Sequence, residues 1–207
     1  MSEGLARLLD EQAIFALVKR ERLARDTGRW DELAGCYWPQ ATVRVTWFTG
    51  SPRDFADASR RQYESGKGQG IHIISPVWAR IDGDRALVES LGTILTRTEF
   101  EGVLVDVTTW CRFFSRVRRG EAGWLLESFD GIYMKDRIDP VNPAARLELE
   151  PARLAAGRAS YRHQAYLADF HGYPRNNELP GDDRRDLVAA FYAQAETWLA
   201  GGDATAS

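Results

Sequence analysis

The sequence predicts an α+β fold in which N-terminal helices pack against a strongly bent antiparallel β-sheet, with further helices behind it. Three observations predict it. Apolar residues recur at helical spacing near the start, at Ile14, Leu17, Val18 and Ala24. From Ile71 to about Lys135 the pattern becomes long runs rich in β-branched residues, separated by short glycine-containing turns. After the proline-marked stretch DPVNPAA (139–145), helical patterning returns. Helices that precede a block of strands, rather than alternating with them, argue for an antiparallel meander.

The elements follow in order. Asp10 is expected to cap a helix that runs to about Thr27 and stops at Gly28. Trp30, Leu33, Ala34 and Tyr37 share one side of a short second helix, which Pro39 should end. ATVRVTWF (41–48) alternates and reads as a strand. Ser51-Pro52 opens a third helix over about 53–65, and GKGQG (66–70) reads as a flexible loop. Then come the strand IHIISPVWARI, a turn at Asp82-Gly83-Asp84, the strand RALVESLGTILTRTEF and a turn near Glu101-Gly102. VLVDVTTWCRFFSRV, the turn RRGEAG and a last strand WLLESFDGIYMK complete the meander. Gly92 and Gly131, inside strands, predict bends. Helices are expected over about 151–171 and 183–200. This divides the chain into an α+β domain over 1–140 and a helical extension over 141–207.

Bulk properties narrow the function classes. The 207 residues, 44% apolar and 28% charged, suit a globular domain able to bury its own core. A net charge of -3 supplies no basic field, so nucleic acid is not an expected partner. Arg116, Arg118 and Arg119 beside Gly120 read as a solvated hairpin tip. The start MSEGLARLLDEQ lacks the pattern of a secretory signal, and no apolar run approaches membrane-spanning length. Cys36 and Cys111 form no CxxC pair. A reducing, cytoplasmic setting without membrane contact is therefore expected. His163 and His171 lie near opposite ends of one predicted helix and cannot share an ion. HExxH, GxSxG and P-loop motifs are missing from the sequence. No metal, flavin, nicotinamide or other cofactor is expected.

The remaining chemistry centres on His72, at the start of a strand between apolar neighbours. It reads either as a core histidine bonded to backbone or as a general base, since its ordinary pKa lies near working pH. Asp26 would supply what such a base needs: a carboxylate on one ring nitrogen fixes the tautomer, stabilises the imidazolium and raises the histidine's pKa. Tyr37, Trp47, Trp110 and Tyr133 are candidates for the lining of an apolar pocket, with Lys135 a candidate among the polar groups on the late strands.

The stretch RDTGRWDELAGCYWPQATV resembles the opening of the SnoaL-like branch of the nuclear transport factor 2-like superfamily. The resembling features are Asp26, the polar turn Thr27 to Arg29, Trp30 to Leu33, and Gln40-Ala41-Thr42-Val43, with Gln40 in place of an acidic residue. His72 opening a strand and Trp124 starting the last long strand also match. The resemblance covers roughly residues 8–137 and implies a cone: a curved sheet wrapped around a helix, with a pocket inside. It implies that Asp26 orients His72, which abstracts a proton from a substrate carbon while water or another group leaves the neighbouring carbon. Dehydration of a small cyclic or polyketide-like hydrophobic substrate is the leading expectation. Isomerisation by the same pair, or binding and assembly without chemistry, are the alternatives. Where many relatives carry a tyrosine five positions before the aspartate, this chain has Glu21. Association into a homodimer or homotrimer through the sheet's outer face is implied as well.

Overall fold

A computed structural model of the chain describes residues 2–66, 69–173 and 176–202. The order of elements is α1 (Glu3–Asp26), α2 (Trp30–Gly35), β1 (Tyr37–Val45), β2 (Phe48–Gly50), α3 (Pro52–Glu64), β3 (Gln69–Asp82), β4 (Arg85–Phe100), β5 (Val103–Gly120), β6 (Gly123–Pro140), α4 (Pro151–Ala155), α5 (Arg162–Phe170) and α6 (Arg185–Leu199). The strands form one curved, open sheet in the order β2-β1-β6-β5-β4-β3. The α+β class is as expected.

Local chemistry moved several boundaries. α1 starts at Glu3, because the Ser2 hydroxyl accepts the Leu5 N–H and the good helix formers that follow carry the helix through Asp10. Asp10 is therefore not a cap. It accepts from Arg119 and from the Trp124 indole (3.1 Å), tying α1 to the β5–β6 hairpin. Pro39 lies inside β1 rather than ending α2. It sits where β1–β6 pairing shifts register, between Tyr37 and Thr42, so its missing N–H costs no ladder bond there. Of the expected loop 66–70, residues 67 and 68 lie outside the described residues, and Gln69 and Gly70 belong to β3. The expected helix 151–171 is two helices, interrupted around Gly157 and Ser160. Arg118 and Arg119 are not a solvated tip; they sit on β5, paired with Glu127 and Asp10.

The sheet is mixed. Sequence neighbours from β3 to β6 pair antiparallel through tight turns, whereas β1 runs parallel to β6. Those two strands are separated by α3 and four other strands, so no turn dictates their direction. One face of the sheet packs on α1 to α3 around Leu17, Val43, Phe55 and Phe129. On another cluster, Leu87, Phe114 and Ile132 meet Phe191 and Trp198 of α6. α5 joins the end of the sheet through Tyr166 and Leu167, which meet Phe100 and Val107. Among the described residues, no helix is long and apolar enough to cross a membrane.

The two strand glycines give way to rings. A Cβ on Gly92 would stand 2.4 Å from the Phe113 ring, and one on Gly131 would stand 2.8 Å from the Tyr133 hydroxyl. Both rings face the interior space described below. Gly92→Ala should therefore lower stability by about 1–3 kcal/mol through overpacking. Denaturant unfolding should show a lower midpoint at unchanged slope, and an unshifted midpoint would mean Phe113 does not depend on that gap.

Candidate active site

Asp26 ends α1 and His72 lies near the start of β3. One carboxylate engages the histidine twice. Oδ2 accepts the His72 backbone N–H at 2.6 Å, and Oδ1 lies 2.7 Å from the ring Nδ1. An ionised carboxylate only accepts, so Nδ1 carries the hydrogen and Nε2 keeps its lone pair. Burial opposes charge on Asp26, but its bonds to His72 outweigh this and hold its pKa below the ordinary value. For His72 burial wins. It pushes the pKa down to about 4 despite Asp26, with the charges of Arg22 and Arg25 acting in the same direction as burial. The expected upward shift is therefore reversed: Asp26 raises the value, but less than desolvation and two arginines lower it.

Those arginines continue the inner face of α1. Arg22 is 2% exposed. Its Nε and Nη2 both donate to the Glu21 carboxylate, which also accepts the Tyr37 hydroxyl at 2.7 Å. Burial works against the Arg22 charge, yet the pairing with Glu21 raises its pKa. The guanidinium stacks over Phe129, 4.1 Å from the ring centre. Arg25 donates to the Gly70 carbonyl (2.8 Å) and to the Gln62 side chain (2.9 Å), joining α1 to β3 and α3.

These groups border a cavity within the concave side of the sheet. Its volume open to the centre of a water-sized sphere is about 80 Å3. A single water needs roughly 10–15 Å3 on that measure, so the space has room for several waters. His72, Trp47, Phe55, Phe113 and Tyr133 line it, with Arg22 and Arg25 beside them. α5 and the turn after it supply Gln164, Leu167, His171 and Tyr173. The extension therefore helps to close the cavity.

Of the residues singled out from sequence, Asp26, His72, Trp47 and Tyr133 meet here. Tyr37 does not line the cavity, because its hydroxyl is spent on Glu21. Trp110 and Lys135 lie outside it and stack on each other, 5.0 Å from ammonium to ring centre. The register shift between Trp110 and Cys111 puts the pair opposite one another on the solvent side. Glu21 is turned into the ion pair with Arg22. Arg22, Arg25, Thr46, Gln164 and His171 were not anticipated. Among the described residues, no three His, Cys, Asp or Glu side chains gather to hold a metal ion.

A profile of the SnoaL-like domain matches residues 6–130. The chain belongs to the SnoaL-like family. A curated relative, pea pathogenicity protein 2 of Fusarium vanettenii, is 28% identical over 193 residues, covering 86% of this chain and 80% of that protein. Solved structures with the same fold include a proposed scytalone dehydratase from Novosphingobium aromaticivorans, with TM-score 0.51 and 17% identity over 70% of this chain and 97% of that one. A type 2 hexachlorocyclohexane dehydrochlorinase is similar too, with TM-score 0.53 and 16% identity over 72% of this chain and 98% of that one. These neighbours share the fold of the SnoaL-like chain.

The buried neutral histidine links stability to pH. The unfolded chain binds a proton at His72 near pH 6.5, whereas the folded chain resists until about pH 4. This stabilisation is full above pH 6.5 and fades as pH falls towards 4, by about 3 kcal/mol in all. His72→Gln should flatten the fall in unfolding free energy across that window. An equally steep fall in the variant would show that other groups cause it.

Proposed function

We propose that this SnoaL-like chain is a cofactor-independent lyase that dehydrates a small cyclic or polyketide-like hydrophobic molecule. The observation that carries the reading is the double engagement of His72 by Asp26 at the edge of an aromatic cavity. With Nδ1 held, Nε2 is the ring nitrogen left for a molecule in that cavity. His72 takes a proton from a substrate carbon, hydroxide leaves from the neighbouring carbon, and a new C=C joins the two. Asp26 stabilises the imidazolium that forms, and the proton returns to the leaving hydroxide as water. Trp47 and Tyr133 would contact the substrate. The names of two structural neighbours, a dehydratase and a dehydrochlorinase, describe eliminations and support the class.

One feature favours isomerisation as a second reading. Glu21 occupies the place where many relatives carry a tyrosine, and it is committed to Arg22 and Tyr37. With no leaving group to assist, the same base would move a proton within the substrate. Product mass separates the two, because dehydration loses one water and isomerisation conserves mass.

Against a panel of hydroxylated cyclic ketones, followed by mass spectrometry, His72→Ala should lower turnover by about 100-fold to 10,000-fold. A fully active, folded variant would sink the lyase and isomerase readings together and leave a binding module. The wild type's kcat/KM should fall on the acid side near pH 4, where His72 takes a proton, rather than near 6.5. An acid limb centred at 6.5 would mean that His72 is not the base in that profile.

A further inference from the structure

We propose that Arg22 holds a ligand oxygen that becomes negatively charged beside His72, so that the cavity takes carbonyl compounds whose acidic C–H adjoins that oxygen. The inference rests on His72 acting as the base and names the substrate chemistry of that same site.

Arg22 is buried to 2% exposure, lines the cavity and keeps donors to spare. Nε and Nη2 are committed to Glu21, and among the described residues no acceptor meets Nη1. A guanidinium carries five donor hydrogens and cannot lose its charge, so this one offers a directed N–H from a site drier than water. Arg22 and His72 flank the same ring. The Arg22 guanidinium carbon and the His72 ring centre each lie 5.9 Å from the Phe113 ring centre. A small molecule against Phe113 therefore meets a base and a charged donor together. In the same cavity, the Tyr133 hydroxyl accepts the Thr46 N–H (3.1 Å), which leaves its own hydrogen to donate. Thr46 is 3% exposed, and among the described residues its hydroxyl, beside that of Tyr133, completes no hydrogen bond. A second ligand oxygen would find both.

The structural alternative is that Arg22 serves only to neutralise Glu21. That role needs two of its nitrogens and leaves the third unexplained. It also does not require the guanidinium to border the cavity, stacked between Phe129 and open space. Pairing with Glu21 makes the couple neutral overall, so Arg22 binds a neutral carbonyl weakly. The attraction grows as charge develops on the oxygen, which is the behaviour that lowers a barrier.

The reaction balances without a further reagent. Nε2 of His72 takes the proton from the carbon next to the carbonyl. The C–H pair becomes the C=C of an enolate, whose oxygen carries the negative charge against Arg22 Nη1. The enolate then reforms C=O, the electron pair moves to make the new C=C, and the C–O bond to the β-hydroxyl breaks. The hydroxide takes the proton back from His72 and leaves as water, giving the unsaturated carbonyl compound.

Para-nitrophenol tests the oxygen site apart from turnover, since its phenolate imitates an enolate and absorbs in the visible. Its methyl ether, para-nitroanisole, has the same shape and cannot ionise. The full-length wild type should bind the phenolate about tenfold or more tighter than the ether, the worth of one charge-assisted hydrogen bond. Arg22→Met should abolish the preference. Because that variant leaves Glu21 buried and unpaired, the double variant Glu21→Gln/Arg22→Met, checked for fold by circular dichroism, should abolish it too. His72→Gln should retain it. Equal binding of the two probes by wild type, a preference that survives in the double variant, or no saturable binding of either would each overturn the proposal. Loss of water from a cyclic β-hydroxy ketone, followed in parallel by mass, reports on the lyase reading alone. An Arg22-dependent phenolate preference without water loss would leave the oxygen site standing and the lyase reading fallen.

Discussion

The inner face of α1 carries charge into the core, and much of the site is arranged to satisfy it. A buried ion left alone costs several kcal/mol, so each one must find partners. Glu21 takes Arg22 and the Tyr37 hydroxyl from β1. Arg25 reaches the Gly70 carbonyl on β3 and Gln62 on α3. Asp26 takes His72, also from β3. Four successive demands for pairing thus draw β1, β3 and α3 onto one helix. They set where β3 begins relative to the end of α1, and so they set the ring of His72. The aromatic packing of Phe113 and Phe129 fills the space that remains.

The same crowding determines the protonation states. Asp26 remains ionised because the His72 donors meet it, and His72 remains neutral because burial and two neighbouring cations oppose a third charge. A neutral imidazole with its hydrogen on Nδ1 is the form a base requires. The basicity that burial removes is restored only when negative charge appears nearby, because an anion opposite the ring offsets both desolvation and the arginines. Under the proposed function, substrate-derived charge and proton transfer would in that sense be coupled through the cavity's electrostatics.

Much of this was legible in the sequence, and the failures have physical causes. The meander, its turns at Gly83 and Gly102 and the Asp26–His72 contact follow from periodicity, turn residues and the motif around RDTGRWDELAG. The parallel pairing of β1 with β6 did not, because it depends on no local turn. Strand alternation grouped Lys135 with Tyr133, and the bulge opposite Cys111 separates them; Trp110 stood out only as an aromatic of the sheet, and it alternates outward beside the inward Cys111. The arginines were missed although a signal existed. Ile14, Leu17 and Val18 continue at the same spacing through Glu21, Arg22 and Arg25, so the apolar stripe of α1 turns charged without leaving its face. Charge on a buried stripe points to a polar site inside the fold. The Gln164 and His171 walls had no comparable mark, since an isolated helix after a proline-rich boundary gives no hint of what it covers.

The cavity is assembled from two distant stretches of one chain. Asp26 and His72 lie within the part of the chain that matches the family profile, whereas Gln164, Leu167 and Tyr173 lie beyond it. Beyond its apolar contacts, α5 is anchored at its start by Asp136 on β6, which accepts the N–H groups of His163 and Gln164 and holds the His163 ring. Changes in the later stretch can therefore remodel one wall without touching the histidine and its aspartate. Under the proposed function, one wall that shapes the ligand would be encoded apart from the pair that handles the proton.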